Sequence, residues 1–69
     1  MRYAVVIEKA RNNYSAYVPD LPGCIATGRT LEETRRRMRV PIDMHLASMR
    51  EDGDRIPAPA LIADMLNVA

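Results

Sequence analysis

The sequence predicts an α+β fold in which a three-stranded antiparallel meander carries one main helix on the sheet. Three observations lead there. Two short runs near the start are rich in β-branched and aromatic residues. A Pro-Gly corner separates the second run from a third. Then T-L-E-E opens a long stretch whose apolar residues recur every three or four positions.

The first run, Arg2 to Glu8 (RYAVVIE), places Tyr3, Val5 and Ile7 on one face and Ala4 and Val6 on the other. Apolar residues on both faces read as a central strand covered on both sides. Lys9 to Asn13 is polar and ends in Asn-Asn, a pair that tolerates left-handed backbone angles and suits a hairpin turn. Tyr14 to Val18 then alternates, with Tyr14, Ala16 and Val18 sharing a face. Pro19 stops this second strand. In D-L-P-G, Pro22 fixes the first central residue of a type II turn and Gly23 takes the positive φ at the second, so the chain reverses into a third strand, Cys24 to Thr27. Short connections between sequential strands make the sheet an antiparallel meander.

Thr30 to Glu33 has the form of a capping box. Thr30 is the N-cap, its hydroxyl accepting from the amide of Glu33, whose carboxylate reaches back to the N–H of Thr30. Leu31, Thr34, Met38, Ile42, His45 and Met49 form one apolar stripe, while Arg35, Arg36, Arg37 and Arg39 face outward. Glu32–Arg36 and Glu33–Arg37 are i,i+4 pairs in the favourable orientation. The helix is expected to end at Gly53. Pro41 lies inside it and removes a backbone bond to Arg37, a loss of about 3 kcal/mol in a regular helix interior. Because the apolar period crosses Pro41 without a phase break, the expectation is one helix kinked near Val40. Asp54 to Pro59 reads as a loop. In the last ten residues, Ala60 to Met65 suits a helical turn and Met65 to Val68 a short final strand.

A chain of 69 residues has room for one domain, 1–69. It buries only about 60% of its unfolded surface, so self-association or a partner is a natural extension of its core. That core must be aliphatic, since the chain has no Phe or Trp, three Tyr and five Met. Ten basic and nine acidic residues leave a formal charge of +1, which gives no global argument for nucleic acid, anionic membrane or an acidic partner. One cysteine excludes an internal disulfide, and no Cys or Cys/His pair has zinc-ligand spacing. The apolar start is too short for a signal-peptide core or a membrane span, and a cytoplasmic location is expected.

Catalytic and metal-binding residues are not expected, and no cofactor is implied. Cys24 and His45 carry no signature linking a nucleophile to its base, and a Cys that begins a strand is more often a small buried hydrophobe. The acidic residues fall mainly at turns and on the helix exterior, where they suit a solvated surface better than a metal cage. The run RRRMR, Arg35 to Arg39, is the sharpest local charge and fits either a solvated helix face or a grip on phosphates or an acidic surface.

The order of motifs is more specific than any one of them. An apolar strand, a second strand carrying Tyr, then P-D-L-P-G-C (Pro19 to Cys24), G-x-T-L-E-E (Gly28 to Glu33) and E-D-G-x-x-I-P-x-P (Glu51 to Pro59) resembles the HicB-like antitoxin family over nearly the whole chain. The resemblance implies a β-β-β-α-β arrangement, a degenerate ribonuclease-H-like fold with a final strand. It also implies a role as antitoxin to a HicA-like toxin, a small basic RNA-cleaving protein, and assembly into a homodimer or higher homo-oligomer. An active ribonuclease H needs a carboxylate in its first strand, where this chain has Ala4, Val5 and Val6. Many relatives add a DNA-binding segment after this domain, and this chain ends at Ala69, so operator binding by it alone is not expected.

On this reading Pro19, Pro22, Gly23, Gly28 and Thr30 shape the turn and the cap. Asp20 and Leu21 of the loop, with Glu32 and Glu33 at the helix start, are the exposed candidates for contact with a basic toxin. Two rival functions are a residual nuclease holding Mg²⁺ on Glu8 and Asp20, and a free-standing RNA-binding module using the arginine-rich helix face.

Overall fold

The computed structural model describes residues 1–68 and contains three strands and one helix: β1 (Val6–Lys9), β2 (Tyr14–Tyr17), β3 (Ile25–Gly28) and α1 (Leu31–Glu51). The strands form an antiparallel sheet in the order β1-β2-β3. Ile7 pairs with Ala16, which pairs with Ala26. This row, with Val5, Val18 and Cys24, faces the helix and supplies most of the core. The opposite face carries the row Val6, Tyr17 and Ile25, of which Tyr17 and Ile25 are exposed.

Two expectations for β1 change. It is an edge strand rather than a central one, and it starts at Val6, not Arg2. The reason is that no strand pairs with its outer side: residues 54–68 carry neither helix nor strand, so the expected final strand is absent from the described residues. The hairpin before β2 closes with the Ala10 amide donating to the Asn13 carbonyl at 2.8 Å. Neither Asn takes a left-handed angle, because a four-residue connection reverses the chain without one.

The loop from Val18 to Cys24 is two successive turns. The Leu21 amide donates to the Val18 carbonyl (3.1 Å) and the Cys24 amide to the Leu21 carbonyl (3.2 Å), with Pro22 and Gly23 as the central pair of the second turn. Gly23 has φ +90°, as a type II turn requires. Folding the loop back this way drives Leu21 inward until its exposure is 0%. The sequence reading of Leu21 as an exposed contact residue is therefore wrong in its premise.

α1 lies over β3 and β2, but not over β1. The small residues explain the placement. Ala16, Ala26 and Gly28 floor that half of the sheet, whereas β1 and its approach present Tyr3, Val5 and Ile7. Gly28 marks the closest approach: a Cβ there would stand 2.5 Å from Thr34 Oγ1 and 2.8 Å from the Thr34 amide nitrogen. Thr34 and Met38 are buried on the helix, while Ile42 and Leu46 pack against the core from its second half. Leu31, assigned to the stripe by period, is 47% exposed because it precedes the first turn that reaches the sheet.

The helix starts as expected, with the Glu33 amide donating to Thr30 Oγ1 at 3.0 Å. The reciprocal bond differs: the Glu33 carboxylate meets the amide of Arg29, at 3.5 Å, rather than that of Thr30. The helix ends in a Schellman arrangement, with Gly53 (φ +70°) donating to the Arg50 carbonyl and Asp54 to the Met49 carbonyl. Between these ends α1 runs unbroken through Pro41. The Pro41 carbonyl accepts a weak bond from Cys24 Sγ at 3.6 Å, which ties the loop before β3 to the middle of the helix.

Candidate functional site

The four residues expected to meet a partner form two separate pairs. Asp20 and Leu21 precede β3, whereas Glu32 and Glu33 follow it, so the length of that strand divides them. Each has a distinct environment. Leu21 is a core residue. Asp20 is half-buried, and its Oδ2 accepts from the amides of Ala60 (3.0 Å) and Leu61 (3.1 Å). It therefore tethers the segment that follows the helix, a role with no sequence signal because the partners lie 40 residues away and are backbone groups.

Glu33 is also engaged. Its carboxylate pairs with Arg37 at 3.0 Å, and the Arg37 guanidinium donates to the Thr27 carbonyl at 3.2 Å, joining the helix start to β3. This is the only ion pair among the described residues, so the expected Glu32–Arg36 partner pair does not form. Glu32 remains exposed on the outer side of the first turn, beside Arg35 and Arg36. Of the four candidates it is the one fully presented to a partner.

The residues considered for chemistry are placed apart or occupied. Cys24 is buried, and its thiol points to a backbone carbonyl rather than to His45. Burial pushes its pKa up from the ordinary 9.0, the opposite of what an activated nucleophile needs. Glu8 is exposed on the open side of β1, and Asp20 is committed to two amides. Among the described residues no three His, Cys, Asp or Glu side chains gather as a metal site would require. No helix among them is long and apolar enough to cross a membrane.

A further feature was not legible in the sequence. Because α1 leaves β1 uncovered, a groove runs between them, floored by Tyr3, Val5 and Ile7, walled by Met38 and Ile42, and rimmed by Arg35 and Arg39. Sequence periodicity placed these arginines on the solvent side but gave no sign that two of them border an apolar channel.

The exposed helix start and the apolar groove are thus the accessible features of this surface. A family model for the "HicB_like antitoxin of bacterial toxin-antitoxin system" matches residues 3–68. The chain belongs to the HicB-like antitoxin family. Over 67 residues this HicB-like chain is 36% identical to an uncharacterized 14.9 kDa protein from the rep-hol intergenic region of Haemophilus phage HP1, covering 97% of this chain and 50% of that protein. It is 40% identical over 47 residues to a UPF0150 protein of Helicobacter pylori, covering 68% of this chain and 65% of the relative. A UPF0150 protein of Archaeoglobus fulgidus is 37% identical over 59 residues, with 81% and 86% covered. The HicB-like chain therefore spans half the length of the phage relative and under two thirds of the Helicobacter one. No solved structure matches it.

Proposed function

We propose that this HicB-like chain is the antitoxin of a type II toxin-antitoxin pair, which binds a HicA-like mRNA-cleaving toxin in the cytoplasm and occludes its active surface. The observation that carries the reading is the family match from residue 3 to residue 68, which includes every strand, the loop and the helix. The burial of Cys24 and the engagement of Asp20 favour action by binding over action by catalysis. In this reading the chain is one HicB-like domain, needs no cofactor, and has the degenerate ribonuclease-H-like topology.

The proposed contact residues divide by role. Glu32 meets the basic toxin directly, and Glu33 is held in position by Arg37. Asp20 offers its Oδ1, since both of its bonds to the tail use Oδ2. Leu21 acts as the buried prop that sets the loop's shape. The test is co-expression with a toxic small basic protein encoded by the adjacent reading frame. Neutralisation and co-purification are expected, with weaker binding for Glu32→Arg. A toxin that stays fully toxic and uncomplexed overturns the proposal.

A further inference from the structure

The run Arg35 to Arg39 is the sharpest charged motif of the sequence, toxin binding leaves it unused, and the structure divides it. Met38 is buried in the core. Arg37 is committed at the helix start, paired with Glu33 and donating to the Thr27 carbonyl. Arg35, Arg36 and Arg39 are exposed and have no ion-pair partner among the described residues. These three line one open hollow on the flank of α1, together with Glu32 and Val40. A chain of formal charge +1 thus gathers three guanidinium groups against one carboxylate at a single place.

The helix fixes their spacing. Arg35 and Arg39 are one turn apart on the same side, about 6 Å along the axis, with Arg36 next to Arg35. Each presents a rigid fork of donors that matches phosphate oxygens. Their neighbours select the kind of anion. The hollow contains one apolar side chain, Val40, and no aromatic. A protein surface docking there would find no pocket for the buried anchor that carries affinity. A chain of phosphates needs none, because its binding is driven by released counterions. With no aromatic side chain to stack on, the bases are not read, and the contact is to the backbone. A helix cannot enter the deep, narrow major groove of duplex RNA, which leaves the single strand as the form of RNA that this flank can meet.

We propose that Arg35, Arg36 and Arg39 bind the phosphate backbone of single-stranded RNA. The site lies next to Glu32, the residue assigned above to the toxin, so RNA held on the arginines runs beside the occluded toxin in the complex. Only that last placement rests on the antitoxin reading; the RNA contact itself belongs to the chain alone. Glu32 has opposite effects in the two roles. Its carboxylate attracts a basic toxin and repels phosphates.

The test is fluorescence anisotropy of labelled oligouridylate with the full chain over a series of salt concentrations, each variant checked for helix content by circular dichroism. Gln replaces Arg because both are good helix formers and the positions are exposed, so the fold is retained. Three phosphate contacts on a single strand give a slope of log affinity against log salt of about −2, since each contributes about −0.7. Arg35→Gln combined with Arg39→Gln brings the slope to about −0.7 and lowers affinity at low salt at least about tenfold. Arg55→Gln, beyond the other end of the helix, changes neither. Oligoadenylate binds within about threefold of oligouridylate, as backbone contact requires. Glu32→Gln binds RNA more tightly while it weakens toxin capture. A chain that retains RNA yet captures no toxin overturns the antitoxin reading and supports this one. No retention of RNA at low salt, a slope indifferent to the double variant, or tighter binding to duplex DNA than to the single strand each overturn the proposal.

Discussion

Gly28 shows most plainly how one residue sets the distance between sheet and helix. Its φ is not left-handed, so its role is steric: a methyl group would stand 2.5 Å from Thr34 Oγ1, and Thr34 is itself fully buried and bonded to the Thr30 carbonyl at 2.8 Å. Neither atom has room to yield. Gly28→Ala is therefore expected to lower stability by about 1–3 kcal/mol, the range for overpacking a tight site, as a shift in urea midpoint. Gly23 is the contrasting case. Nothing lies within 4 Å of its would-be Cβ, but φ is +90°, so Gly23→Ala costs only backbone strain, about 1–2 kcal/mol. Cys24 adds a pH signature. Burial raises its pKa above 9.0, so the folded chain keeps the thiol proton while the unfolded chain releases it. Its contribution is whole below pH 9.0 and is lost as pH rises beyond that value. Cys24→Ala should flatten the alkaline fall in stability, measured by urea titration on both sides of that point. An unchanged fall would assign it to other groups.

At the scale of elements, the helix is the clearest case of local chemistry reaching the structure intact. Thr30 and Gly53 are read as start and stop from residue type alone and perform those roles, whereas the Glu33 carboxylate meets the Arg29 amide in place of the expected Thr30 N–H. Pro41 is the exception that packing overrides. Its missing N–H leaves the Arg37 carbonyl without its usual donor, yet α1 continues, because Met38, Ile42 and Leu46 carry the buried stripe across it. Pro41→Ala restores that bond and keeps the carbonyl that Cys24 meets. It should stabilise the fold by about 1–3 kcal/mol, readable as a rise in melting temperature. The meander was equally legible, since alternation and the Pro-Gly corner are local signals. The burial of Leu21 was not, because loop residues between turn formers look exposed and only the double reversal from Val18 to Cys24 turns it inward. The status of β1 was missed for a related reason. Apolar residues on both faces describe what a strand can bury, whereas its place in the sheet depends on whether another strand joins it.

For the whole molecule, the tether between the loop and the segment after the helix joins regions far apart in the sequence. The buried cluster is small: Ala16, Val18, Leu21, Cys24 and Met38, ringed by half-buried side chains. Two rows of apolar residues remain outside it, one on the open sheet face and one in residues 61–68. No local signal in the sequence reveals that Asp20 joins its loop to the segment after the helix, since an Asp in a Pro-rich turn is most simply read as solvated. Its two bonds to the Ala60 and Leu61 amides are exposed, so their share of global stability is small, about 1 kcal/mol or less. Their local effect is larger, because they hold the start of the tail against the loop. Asp20→Ala should leave the far-ultraviolet spectrum and the helix intact while the Ala60 and Leu61 amides exchange much faster with solvent. Asp20→Asn, whose carbonyl oxygen still accepts, should fall between the two. If both amides exchange in Asp20→Ala as slowly as in the wild type, the carboxylate is not what holds the segment, and the pin must be assigned to Tyr3 and Pro57 instead.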